Sequence, residues 1–136
     1  MHVTNSAPDK VFPSLATRNG KIVVTYYTRD YGILSAAPAC NVQTNPVPTG
    51  IAPVPSARSI GLAGKTLNGS TFGTQKRLSS ESSNPFVQFA DGGFIGDYTQ
   101  VAMDKNGDSH ASWTDFRGNP GNTPANQDVL IANFTP

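Results

Sequence analysis

Apolar and polar residues alternate along this chain in short runs cut by Asn-Gly pairs, and no segment holds the 3.6-residue apolar period of a helix. Residues 11–32, VFPSLATRNGKIVVTYYTRDYG, contain two strand-like runs joined by Asn19-Gly20. That dipeptide accepts positive φ at little cost and predicts a β-hairpin. Its second run, Lys21 to Thr28, is dense in β-branched and aromatic residues. Tyr26 and Tyr27 must point to opposite faces, because strand side chains alternate. ARSIGL (57–62) and STFGTQKRLSS (70–80) read as strands about an Asn68-Gly69 turn, and DVLIANF (128–134) as a last strand.

Residues 101–118, VAMDKNGDSHASWTDFRG, echo residues 15–32. Asn106-Gly107 matches Asn19-Gly20, Trp113 matches Tyr26, and the closing Asp-Phe-Arg-Gly answers Arg-Asp-Tyr-Gly. A supersecondary unit of short strands that occurs twice points to an all-β repeat architecture, a β-propeller of four-stranded antiparallel blades. Between the repeats, residues 36–55 hold five prolines in twenty residues and read as a loop or insertion, since proline cannot donate to a ladder. The expectation is one domain with one modest core over 1–136, made of about two blade repeats: 11–35 with 56–80, and 94–136.

Composition narrows the function classes. Charged residues are 14% and the formal net charge is +1, so the chain has no clustered positive field for nucleic acid or an anionic membrane. No run approaches the ~18 apolar residues of a membrane span, and the N-terminus lacks the apolar core of a signal peptide. The single cysteine, Cys40, excludes an internal disulfide and has no histidine near it in sequence. No metal or cofactor is expected. Asp104, Asn106 and Asp108 are spaced like the opening of an EF-hand, but Gly107 is fourth where that loop wants its glycine sixth, so a hairpin turn is the better reading. His110, in mid-strand with no second ligand at suitable spacing, reads as a half-exposed strand residue.

The stretch FIGDYTQVAMDKNGDSHASWTDFRG…QDVLIANF resembles a blade of the sialidase-like (BNR or Asp-box repeat) β-propellers, and FPSLATRNGKIVVTYYTRD resembles the blade before it. The family's Asp-box, Ser-x-Asp-x-Gly-x-Thr-Trp, falls near residues 65–72, where only Gly69, Thr71 and the aromatic Phe72 survive. The resemblance implies six four-stranded blades, an extracellular or secreted setting, and enzymes that remove terminal sialic acids with a Tyr nucleophile, an Asp acid and an arginine cluster for the sugar carboxylate. This chain supplies about two blades. It is therefore expected to be a fragment of a longer protein, a subunit whose copies associate to complete the ring, or a smaller sandwich, and not to hold a whole catalytic site. A non-catalytic structural or interaction module is the alternative.

The residues offered for glycan contact are Arg117, Asp115, Tyr98, Asp97, Trp113 and Arg29. Four of the six also have a structural reading. Asp115 and Arg117, two apart on a strand, share a face and can pair with each other. Trp113 shares that face and reads as core. Asp97, before a strand, can satisfy backbone N–H groups.

Overall fold

The computed structural model describes residues 1–5, 10–31, 61–80, 82, 98–115 and 128–136. Eight antiparallel strands make two sheets, and no helix occurs among the described residues. Sheet one is a meander of β1 (Lys10–Arg18), β2 (Lys21–Thr28), β3 (Gly61–Asn68) and then β4 (Thr71–Phe72), with β5 (Lys76–Arg77) also pairing on β3. Sheet two is a second meander, β6 (Thr99–Met103), β7 (Ser109–Asp115) and β8 (Asp128–Phe134). Neither sheet closes on itself.

The Asn19-Gly20 hairpin forms where the pattern places it, while the turn expected at Asn68-Gly69 falls one residue later, on Gly69-Ser70, and Asn106-Gly107 lies within a five-residue loop, 104–108. Asn19 and Gly20 both have positive φ, 50° and 76°, which sets the twist that lets β2 fold straight back on β1 with Arg18 opposite Lys21. Edge strand β1 tolerates Pro13 because the register slips between Val11 and Ser14, a bulge where no N–H is required. Phe12, within the bulge, is forced to a φ of 50°.

Strand β2 is buried on both faces, since residues 23–28 are all buried. Val23, Tyr27 and Leu62 face sheet two and pack with Val101, Ala111, Trp113 and Phe134. Val24, Tyr26 and Ala63 form a second cluster on the opposite face, with Val3, Ile22, Tyr31 and Phe72 around it. The two tyrosines do point to opposite sides, and the single core expected from chain length is replaced by two. The reason is the VVTYYT run, which is apolar or aromatic at both parities. Burying a residue such as Leu62, 1% exposed, is worth about 1.5–3 kcal/mol.

Two strand boundaries differ from the sequence expectation. The strand expected at 57–62 is seen instead over Gly61–Asn68, running through both glycines to the turn; residues 57–60 lie outside the described set. The strand expected over 70–80 is two short pieces separated by residues 73–75, yet Gly73 N–H still donates to Thr66 O at 2.9 Å, and Leu78 and Ser79 N–H to Leu62 O. Pairing with β3 thus survives the bend.

The sheets are pinned where β1 lies beside β6. Ser14 Oγ accepts the Val101 N–H at 3.0 Å, and Thr99 Oγ1 donates to Phe12 O at 3.0 Å. Two edge strands thereby satisfy backbone groups through side chains instead of a ladder. Ladder pairing of β6 ends at Thr99 opposite Trp113. One residue further along β7, the Tyr27 hydroxyl accepts from Thr114 N–H at 3.2 Å and donates to Thr114 O at 3.0 Å, as a missing strand would.

Candidate functional site

The residues offered for glycan contact do not converge. Trp113 is 5% exposed within the inter-sheet core, and Asp115, 3% exposed, accepts its Nε1–H at 3.4 Å. Both point inward because Ser109, Ala111, Trp113 and Asp115 are the buried parity of β7. Tyr98 is 80% exposed just ahead of β6, and Arg29 is half-buried just beyond β2. Asp97 and Arg117 lie outside the described residues, as do Cys40 and Glu81.

A tighter polar constellation gathers at the end of β2, on the face of sheet one turned away from sheet two. Gln75, in the bend between β4 and β5, is its centre. Its Oε1 accepts from the Tyr26 hydroxyl at 2.7 Å, and its Nε2 donates to Asp30 Oδ2 at 2.9 Å and to the Tyr31 hydroxyl at 3.0 Å. The carboxylate sets the amide orientation, because only the NH2 side can donate to it. Lys10 Nζ donates to Asp30 Oδ1 at 3.0 Å, with both side chains largely buried. Arg77 lies over the Tyr31 ring, 4.8 Å from its centroid, and donates to Ser82 Oγ at 3.2 Å.

This environment sets the protonation states. Burial alone would raise the Asp30 carboxyl, but hydrogen bonds from Lys10, Gln75 and Thr28, with the Lys10 charge, outweigh it and hold the pKa below 3.8. Burial raises Tyr26 well above 10, helped by the neighbouring Tyr31 and Asp30. Burial likewise raises Tyr31, where the Asp30 charge adds to the effect and Gln75 and Arg77 oppose it. Tyr27, across the sheet, is pushed up to about 12 by burial against the opposing hydrogen bond to Thr114. A phenol that serves as nucleophile needs its proton removed easily. Burial favours the protonated form of all three, and within the constellation the Tyr26 and Tyr31 hydroxyls are engaged by Gln75.

Sequence pattern alone does not find this cluster. Asp30, Tyr26 and Tyr31 stand out as residue types, but Gln75 sits in a polar connector. It comes beside them only because Ala63 pairs with both Tyr26 and Arg77, and Gly64 with Lys76.

The 104–108 turn is built as a hairpin. Asp104 Oδ1 accepts the Asn106 and Asp108 N–H groups at 2.9 Å each, and Asp104 O accepts from Gly107 N–H at 3.1 Å. Gly107 takes a φ of 89°. The carboxylate that an EF-hand would offer to calcium is thus spent on backbone, and no cluster of three potential metal ligands occurs among the described residues. His110 is half-exposed, with Nδ1 2.9 Å from Asn133 Oδ1 and Nε2 3.8 Å from Asp104 Oδ2.

These observations define an all-β protein of two face-packed antiparallel meanders. The chain matches no protein-family model, no curated protein and no solved structure.

Proposed function

We propose that the chain is a two-blade unit of a sialidase-like β-propeller, a glycan-facing module in which association of copies, or a longer chain, completes the ring. The observation that carries this reading is the placement of the repeated hairpins. Within the sequence repeats, residues 15–28 fall on β1–β2 and residues 101–115 on β6–β7, and the leading strands β1 and β6 lie side by side, as leading strands of neighbouring blades do. The Asp-box-like segment 65–72 also falls on a β3–β4 hairpin turn, where Gly69 has a φ of 62°. The unit is non-catalytic by itself. Its Trp113 and Asp115 are committed to the core, and the Tyr26, Tyr27 and Tyr31 hydroxyls are engaged by Gln75 and Thr114.

A second reading, a structural or interaction module without small-molecule chemistry, is favoured by the self-satisfied Tyr26–Gln75–Asp30 network. Light scattering, a glycan array and fluorogenic sialoside turnover separate the two. A mass near three times 14.3 kDa with glycan binding and no turnover is expected. Silence on the array favours the scaffold, and turnover by the isolated chain overturns the non-catalytic assignment.

A further inference from the structure

Away from the Gln75 network, the space between the sheets changes character along β3. Leu62 belongs to the dry inter-sheet core, and residues 64, 66 and 68 continue on its face as Gly, Thr and Asn. At that point a cavity of about 200 Å³ opens, lined by Thr66, Asn68, Thr74, Lys76, Phe134 and Thr135. Phe134, 8% exposed, closes its inner end, and the Lys76 ammonium stands 5.6 Å from the centre of that ring.

Two glycines shape the cleft. A methyl group on Gly64 would lie 3.3 Å from Leu78 Cδ1 and 3.6 Å from Phe134 Cζ, so its absence lets both side chains seat against the β3 backbone. A methyl on Gly73 would meet only Asn68 Nδ2 at 3.5 Å and Thr66 O at 3.7 Å, which are ordinary contacts with two lining residues.

A second observation points the same way. Thr25 Oγ1 and Ser109 Oγ are buried and make no hydrogen bond among the described residues. Thr25 is the register partner of Gly64 and Ser109 that of Phe134, so both residues neighbour the cleft in their sheets without lining it. Buried hydroxyls are ordinarily paired, so the packing next to the cleft leaves two polar groups without the partner such groups usually have.

We propose that this cleft binds one saccharide ring, an assignment that rests on the glycan-facing reading and names its contact site. Ring hydroxyls both donate and accept, as do the hydroxyls of Thr66 and Thr74 and the amide of Asn68. Thr135 Oγ1 donates to Asp108 Oδ1 at 2.8 Å and so presents its lone pairs as acceptors. Lys76 adds a cationic donor for a ring oxygen or a ring carboxylate. The volume is below the ~300 Å³ lower end of small-molecule sites, which suits a single ring and not an oligosaccharide. Among the described residues no aspartate, glutamate or histidine side chain lines the cleft, so the pair of carboxylates that glycoside cleavage ordinarily uses is not there, and the site is assigned recognition alone.

The test is an amide-resolved NMR titration of the full chain with a panel of neutral hexoses and hexuronates. Saturable shifts of Thr66, Gly73, Thr74 and Thr135 as a group are expected with at least one sugar. Thr74→Ala should weaken binding on the order of tenfold, the effect of one lost hydrogen bond. Gly73→Val should abolish it by filling the cleft. If Gly73→Val does not fold, Thr74→Ala carries the test alone. No shift with any sugar, or equal binding in the folded variants, overturns the site. Array binding that survives both variants overturns the cleft while leaving the glycan-facing module in place.

Discussion

Asp30 shows how one side chain is decided by its neighbours. Its carboxylate is the meeting point of Lys10, Gln75 and the β2 end, and its pKa lies below 3.8 in the folded chain. A depressed carboxyl stabilises the native state above the unfolded pKa, and the contribution is lost as pH falls through the lower native value. Urea midpoints should therefore fall between neutral pH and about pH 3. Asp30→Asn should be less stable at neutral pH and should lose less over the same range. An equal acid loss in both proteins would assign the effect to other carboxylates. Asp30 was legible in the sequence as a charged residue after a strand. Its partner Gln75 was not, because forty-five residues separate them and only the β2–β3–β5 register closes that distance.

Among the elements, the hairpins were legible and the strand bounds less so. Asn-Gly announces its turn through backbone sterics that hold in any context. Gly20 sits at a φ of 76° with nothing within 4 Å of an added methyl, so only backbone strain opposes a side chain there. Gly20→Ala should cost about 1–2 kcal/mol. Gly73→Ala, without positive φ and with only ordinary contacts, should stay within about 0.5 kcal/mol. Chemical denaturation of the two variants checks this, and equal losses would remove φ as the cause. The expected strand stopped at Leu62, while β3 runs on through Gly64, a residue type that usually weakens a strand interior. Gly64 is in the strand because Leu78 and Phe134 occupy the volume that a side chain would take.

On the scale of the whole molecule, the outer face of sheet two exposes two large apolar side chains. Val129 and Ile131 on β8 are 75% and 67% exposed, while the alternate positions Leu130, Ala132 and Phe134 turn inward to the core. In a ring completed by copies, this face meets the next blade. Ile131→Lys should then reduce the mass measured by light scattering to that of one chain, 14.3 kDa, with the circular dichroism of the sheets retained. A variant that keeps the assembled mass places the contact elsewhere.

The sequence by itself determined that this protein is all-β, where its Asn19-Gly20 hairpin turns, that Tyr26 and Tyr27 part to opposite faces, and that two stretches of the chain repeat. Each of these follows from local sterics or from a period of two, which act between residues close in the chain. Tertiary structure alone decided that Asp115 accepts from Trp113 within the core, that Gln75 joins Asp30 to two tyrosines, and that a hydroxyl-lined cleft opens beside Phe134. Those outcomes depend on register and on sheet-to-sheet packing, which bring together residues that no local pattern relates.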